Sequence, residues 1–192
     1  MFSRASVEGN NGTLEYLVAG DGKVVFYLSE SPSKDIPAAI GRFSATRRVV
    51  VPAETVGAER IVGIIDGLGD GTCDVIAFGA AASTGLQLAA LLPGKVDKLV
   101  LETPSLASQS DALQKLVTEP LFDNGARMLT VIGSQCSEEA HKTAIGLKSS
   151  FQRSHLAFVY EAGENVAETQ PLRYGNLVSD FLQKGGAYVI KG

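Results

Sequence analysis

One stretch constrains the fold of this chain more than any other: residues 74–85, which read Asp-Val-Ile-Ala-Phe-Gly-Ala-Ala-Ala-Ser-Thr-Gly. The apolar run from Cys73 to Phe78 predicts a buried strand, and the small residues after it predict a sharp turn. Helical spacing begins at once and continues to Leu92. A strand, a turn and a helix in direct succession build a site at the edge of a parallel sheet.

The rest of the chain repeats this alternation. Helices are predicted at 33–42, where Ser33 is a candidate cap, and at 54–68, 137–151 and 171–184. Further strands are predicted at 14–19, 23–28, 48–51, 96–101, 126–132 and 155–160. Strands and helices in this order predict a mostly parallel, doubly wound sheet with helices on both faces.

Composition narrows the class of protein. The 192 residues, 45% hydrophobic, predict a single domain over 1–192, with 103–124 as a reduced cap or linker segment. A net charge of −4 without any Lys/Arg run argues against a nucleic-acid or anionic-membrane partner.

No apolar window is long enough to span a membrane and no apolar leader follows Met1, so we expect a cytoplasmic protein. Two cysteines, far apart, predict neither a zinc site nor a required disulfide.

Three passages carry a resemblance to a known family. Residues 74–101 run from the strand and turn through a helix to Pro93, and then through Lys95-Val96 into the next strand. Residues 128–136 form a strand that ends in Ile-Gly-Ser-Gln-Cys, and residues 160–182 hold a loop and a closing helix. Together they resemble the α/β-hydrolase family over residues 14–182. The resemblance implies that fold, without a large cap domain.

The resemblance also implies where catalytic residues would stand. The family places its nucleophile in a G-x-S-x-G turn, and here that position falls on Gly79, or on Ala81 in a register two residues later. The acid position falls on Cys136, or on Gln135 in a shifted register, and the histidine position falls on Glu164. None of these residues supplies the chemistry of the family, so the resemblance implies a degenerate site.

A ligand cleft is predicted at the same edge of the sheet. Where the family offers His-Gly after its third strand, this chain has Ser29-Glu30, and a carboxylate there opposes a developing oxyanion. The residues expected to border the cleft are Ser29, Glu30, Phe78, Gly79, Ala80, Glu102, Cys136 and Glu164.

Five glutamates directly follow predicted strands and define a candidate acidic rim: Glu30, Glu54, Glu102, Glu161 and Glu164. Such a rim attracts a cation or a basic ligand, although ordinary solvated loop charges explain the pattern more simply. No spacing resembles a metal-ligand set, and we expect no metal and no cofactor.

Three other kinds of site are compatible with single features of the sequence. A Ser83 nucleophile with His141 or His155 is disfavoured, since both histidines are interpreted as structural. Cys136 precedes a helix start that is expected to lower its pKa, which leaves a thiol nucleophile open. A nucleotide at 79–85 is disfavoured because the glycine spacing matches neither common phosphate motif.

Two hypotheses follow. The first is a non-catalytic α/β-hydrolase-like protein that binds a small molecule or serves as a scaffold, with a homodimer left open. The alternative is a hydrolase of a small ester or related substrate that uses Cys136 or the acidic rim.

Overall fold

The computed structural model of the chain describes residues 1–9, 12–31, 36–68, 71–106 and 126–184. Among these residues, eight strands form one sheet: β1 (Ser3–Gly9), β2 (Gly12–Ala19), β3 (Val24–Leu28), β4 (Arg48–Pro52), β5 (Cys73–Phe78), β6 (Val96–Glu102), β7 (Arg127–Gly133) and β8 (Ser154–Val159). Their spatial order is β1-β2-β4-β3-β5-β6-β7-β8. The pairs from β4 to β8 are parallel, whereas β1–β2 and β2–β4 are antiparallel.

In the described part of the chain, six helices lie between or after the strands: α1 (Ala38–Arg42), α2 (Ala58–Leu68), α3 (Ala82–Leu91), α4 (Glu138–Ser150), α5 (Val166–Thr169) and α6 (Pro171–Lys184). One hydrophobic cluster packs α2, α3 and α4 against one face of the sheet. A second cluster packs α1, α5 and α6 against the other face. The predicted mostly parallel sheet with helices on both faces is therefore confirmed.

The pattern of burial explains why the middle strands were recognisable in the sequence. All five residues of β3 are buried, as are the first five of β5, because helices cover both faces of the sheet there. Glu102 and Arg127 bound the connection between β6 and β7, which is too short to hold a large cap domain. The proposed cap segment from 107 onward lies outside the described residues, as does Ser33.

Some elements differ from the prediction. Strand β1 was not predicted, because its small and polar residues carry little hydrophobic pattern; it forms a hairpin with β2. Helix α2 begins at Ala58 rather than Glu54. The helix after β5 does not start at once, since a short 3₁₀ turn over Gly79–Ala81 precedes α3.

Candidate functional site

The turn after β5 is the centre of the site. Gly79 has a φ of +61°, in the left-handed region that favours glycine, and a Cβ built there meets nothing within 4 Å. Its carbonyl oxygen accepts a hydrogen bond from the Ser105 amide at 3.1 Å. The turn is therefore held against the segment that follows β6, and the space above Gly79 is open.

That open space is a cavity of about 360 Å³ at the carboxyl ends of the strands. Its walls come from the β5 turn, from the segment after β6, from the first turns of α4, from Glu30 after β3 and from Glu164 before α5. The lining residues are Glu30, Phe78, Gly79, Ala80, Thr103, Pro104, Ser105, Leu106, Ser137, Glu139, Ala140, Thr143 and Glu164.

The loop that carries Glu164 is anchored through its backbone. Thr103, which has a φ of 40°, donates from Oγ1 to the Glu164 carbonyl oxygen at 2.6 Å. The Gln135 amide donates to the Ala162 carbonyl oxygen at 2.9 Å. A Cβ on Gly133 would lie 2.2 Å from that same oxygen, so only glycine lets the loop approach β7 so closely. These contacts leave the carboxylate of Glu164 exposed at the cavity.

Cys136 lies beside this anchor and not on the cavity wall. Its Sγ is 4.0 Å from Thr103 Oγ1, and the residue is half-buried. Burial raises the pKa of the Cys136 thiol, and the charges of Glu164 and Glu102 act in the same direction. The expectation that this pKa is lowered is therefore wrong, and desolvation is the largest cause of the rise.

Glu102 lies below the cavity, fully buried at the end of β6. Its Oε1 accepts a hydrogen bond from the Ala167 amide of α5 at 2.7 Å, whereas Oε2 has no partner of good geometry among the described residues. The buried hydroxyl of Tyr174 faces this carboxyl and is likewise without a well-formed hydrogen bond in the described part of the chain. Burial raises the pKa of Glu102 to about 7.

The structure distributes the predicted cleft residues over three places. Five of them line the cavity: Glu30, Phe78, Gly79, Ala80 and Glu164. Glu102 and Cys136 pack beneath or beside it. Ser29 is buried and faces a separate cavity of about 20 Å³, which Glu54 also lines.

Only some of the five glutamates that were predicted to form an acidic rim lie at the cavity. Glu54 pairs with Arg60 at 2.8 Å, away from the cavity, and Glu161 lies in a turn where its amide donates to Ser134 Oγ. Glu139, which was not among the predicted cleft residues, joins Glu30 and Glu164 at the cavity. The direct succession of β7 and α4 places the first turn of that helix at the same sheet edge, and this order could have revealed Glu139.

The alternative nucleophile Ser83 and the two histidines make other contacts. Ser83 donates from Oγ to the Ala80 carbonyl oxygen at 2.8 Å. His141 stacks on Phe158 with ring centroids 5.8 Å apart, and His155 makes an edge contact with Phe181. In the described ranges, no group of three or more His, Cys, Asp and Glu residues is arranged to hold a metal ion. No described helix has the length and apolar character needed to cross a membrane.

No family model matches this sequence. No curated protein sequence matches it either. Solved structures are nevertheless similar over nearly the whole chain. A predicted CIB-like hydrolase from Thermoplasma acidophilum is 14% identical, with a TM-score of 0.74 over 95% of this chain and 98% of that one. The carboxylesterase CesB from Bacillus subtilis is 14% identical, with a TM-score of 0.74 over 96% and 93%.

A third similar structure is the serine hydrolase CarC, which is involved in carbazole degradation. It is 16% identical to this chain, with a TM-score of 0.75 over 95% of this chain and 99% of that one. The likeness agrees with the strand order, the parallel register and the two helical layers described above. This chain has the α/β-hydrolase fold.

Proposed function

We propose that this protein is a non-catalytic member of its fold that binds a small molecule in the cavity beside Gly79. The observation that carries the proposal is the β5 turn itself. The turn lines an open cavity at the usual ligand edge of the sheet, yet its residue at the nucleophile position is Gly79, which has no side chain to attack a substrate.

The hydroxyl groups of the cavity wall do not replace that nucleophile. Thr103 Oγ1 donates to a backbone carbonyl, and Ser137 Oγ accepts from the Ala140 amide as the cap of α4. A hydroxyl needs an adjacent base for attack. The described lining residues include no histidine or lysine, and none of their three carboxylates accepts a hydrogen bond from a described lining hydroxyl. Glu30 at the rim also opposes an oxyanion.

Size and charge define the ligand class. A volume of about 360 Å³ lies at the small end of the range for ligand pockets, which is roughly 300–1,000 Å³. Phe78, Pro104 and Leu106 give the wall an apolar part, whereas Glu30, Glu139 and Glu164 give it negative charge. The described lining has no cation to balance these three carboxylates. The cavity therefore favours a small molecule with both polar and apolar parts that is neutral or carries a positive charge.

Calorimetric titration tests this proposal with three ligands that share the same short alkyl chain. The chain ends in an ammonium group in the first ligand, in an alcohol in the second and in a carboxylate in the third. We expect the ammonium to bind most tightly and the carboxylate least. Glu164→Gln should weaken ammonium binding by roughly threefold and reduce its dependence on salt, since an exposed charge contributes about 0.2–1 kcal/mol. The matched control is Glu54→Gln, whose carboxylate lies outside the cavity. Equal affinity for all three ligands, or an equal effect of both variants, would contradict the proposal.

A further inference from the structure

Two of the three cavity carboxylates belong to residues whose backbone is held by a threonine hydroxyl. Thr103 donates from Oγ1 to the Glu164 carbonyl oxygen at 2.6 Å, and Thr55 donates from Oγ1 to the Glu30 carbonyl oxygen at 2.9 Å. The partners are 61 positions apart in the first hydrogen bond and 25 positions apart in the second. Each glutamate is therefore held by a contact from a distant part of the chain.

The two glutamates lie where such a contact matters most. Glu30 and Glu164 are both exposed and lie outside the helices and strands. Exposed loop residues are usually more mobile than the elements that they connect. A charge that is already fixed binds a ligand with a smaller loss of conformational entropy than a mobile charge does. The threonine contacts therefore prepare both carboxylates for a ligand of opposite charge.

Thr103 has a backbone conformation that β-branched residues rarely adopt. Its φ of 40° lies in the left-handed region. The residue is buried, lines the cavity, and donates from its amide to the Val131 carbonyl oxygen of β7 at 2.8 Å. Strained residues of this kind cluster at ligand sites, where the surrounding contacts hold them in place. The conformation of Thr103 therefore supports a role in the cavity beyond simple packing.

The third carboxylate is positioned by different contacts. Glu139 lies in the first turn of α4, and the helix itself fixes its backbone. Ser137 caps that helix by accepting a hydrogen bond from the Ala140 amide at 3.3 Å. Glu139 is therefore a control for the two glutamates that the threonines hold.

We propose that Thr103 and Thr55 are positioning residues that hold Glu164 and Glu30 at the cavity and so set its preference for a positively charged ligand. This inference rests on the proposed ligand site and adds the residues that determine its charge selectivity. Each hydroxyl acts through the carbonyl oxygen of its glutamate. Loss of a hydroxyl should therefore weaken binding of the ammonium ligand and change binding of the uncharged alcohol little.

Calorimetric titration with the alkyl ammonium and the alcohol measures this selectivity. Thr103→Val removes the hydroxyl and keeps the branched shape. It should lower the ratio of ammonium affinity to alcohol affinity by roughly two- to threefold, which is close to the effect expected of Glu164→Gln. Thr103→Ser keeps the hydroxyl and should restore the wild-type ratio.

The second threonine provides an independent test at an exposed position. Thr55→Val should lower the same affinity ratio, and Thr55→Ser should restore it. Because Thr55 is exposed, its replacement leaves the core of the protein intact. Circular dichroism checks that each variant is folded.

Double variants show through which carboxylate each threonine acts. Thr103→Val should add nothing to the effect of Glu164→Gln, whereas its effect should add to that of Glu139→Gln. Thr55→Val should likewise add nothing to the effect of Glu30→Gln. A merely structural role would weaken the ammonium and the alcohol alike and would not distinguish between the carboxylates.

The possible results separate this inference from the proposed function. A wild type that binds the ammonium no more tightly than the alcohol would refute the proposed function and this inference with it. A wild type that prefers the ammonium, together with an unchanged preference in Thr103→Val and Thr55→Val, would overturn the positioning role alone.

Discussion

Glu102 is a carboxyl group in a place that disfavours its charge. It is fully buried, its Oε1 accepts a hydrogen bond from the Ala167 amide, and the buried hydroxyl of Tyr174 faces the carboxyl group. An ionised carboxylate without enough hydrogen bonds costs free energy in such a site. The proton on Glu102 therefore helps to hold the end of β6 against α5, directly below the cavity.

This residue predicts a pH-dependent stability. The pKa of Glu102 is about 7 in the folded protein and near 4.5 without burial, so the folded state binds the proton more tightly. Its stabilising contribution is complete below about pH 4.5 and is lost as the pH rises to 7. Glu102→Gln keeps the acceptor for Ala167 but has no proton to lose. At pH 8 we expect this variant to be more stable than the wild type by roughly 1–3 kcal/mol.

Urea denaturation at pH 4.5, 6 and 8 measures this difference. The advantage of Glu102→Gln should grow from the lowest to the highest pH. Glu54→Gln, at an exposed position, serves as the control and should track the wild type throughout. An unfolding free energy of Glu102→Gln that runs parallel to the wild type at all three pH values would contradict the assignment.

The amino ends of the strands are joined by a group of buried charges. Asp74, at the start of β5, is fully buried and pairs with Arg47 and with Lys23, the latter at 2.9 Å. Lys98 of β6 lies 4.0 Å away, and Arg47 also donates to the Leu182 carbonyl oxygen of α6 at 2.5 Å. This group therefore connects β5, β6 and α6 with the residues that precede β3 and β4.

Removal of the central charge should be costly. Asp74→Asn leaves Arg47 buried without its anion, whereas Lys98 keeps its ion pair with Asp97 at 2.7 Å. Loss of one partner from a buried ion pair typically costs about 3–5 kcal/mol. Asp180→Asn breaks the exposed pair with Lys184 and should cost no more than about 0.5 kcal/mol. Thermal and urea denaturation of the two variants provide the comparison. A loss below about 1 kcal/mol in Asp74→Asn would show that the group does not stabilise the fold.

At the scale of the molecule, the two ends of the sheet have separate roles. The amino ends hold the ion pairs that fasten the strands, and the carboxyl ends hold the cavity and its three carboxylates. This division follows from the parallel arrangement, because all loops after strands meet at one end. Substitutions around Asp74 should therefore change stability, whereas substitutions at Glu30 or Glu164 should change binding.

The sequence predicted those parts of the fold that depend on neighbouring residues. Strand β5 and its glycine turn were recognisable because the pattern is contiguous, and α6 was predicted with the bounds Pro171–Lys184. Strand β1 was missed because it has few large apolar residues, although Asn11-Gly12 is a common hairpin sequence that could have indicated it.

The parts that were missed depend on distant contacts. Asp74 pairs with residues 27 and 51 positions away, and no local pattern names those partners. Glu139 and Thr103 reach the cavity only because α4 and the segment after β6 lie beside the β5 turn. A lone aspartate in an apolar strand was nevertheless an indication that a buried cation must lie nearby.

The most direct test of the central claim is the rate of aryl-ester hydrolysis by the wild type, Gly79→Ala and Gly79→Ser. The two variants share the cost of a Cβ at positive φ and differ only by a hydroxyl group. Because the described residues around this cavity include no histidine or lysine to serve as the base, we expect all three proteins to give the rate of the buffer alone. Wild-type turnover above both buffer and Gly79→Ala would contradict a non-catalytic protein, and its loss in Cys136→Ala would assign the activity to that thiol.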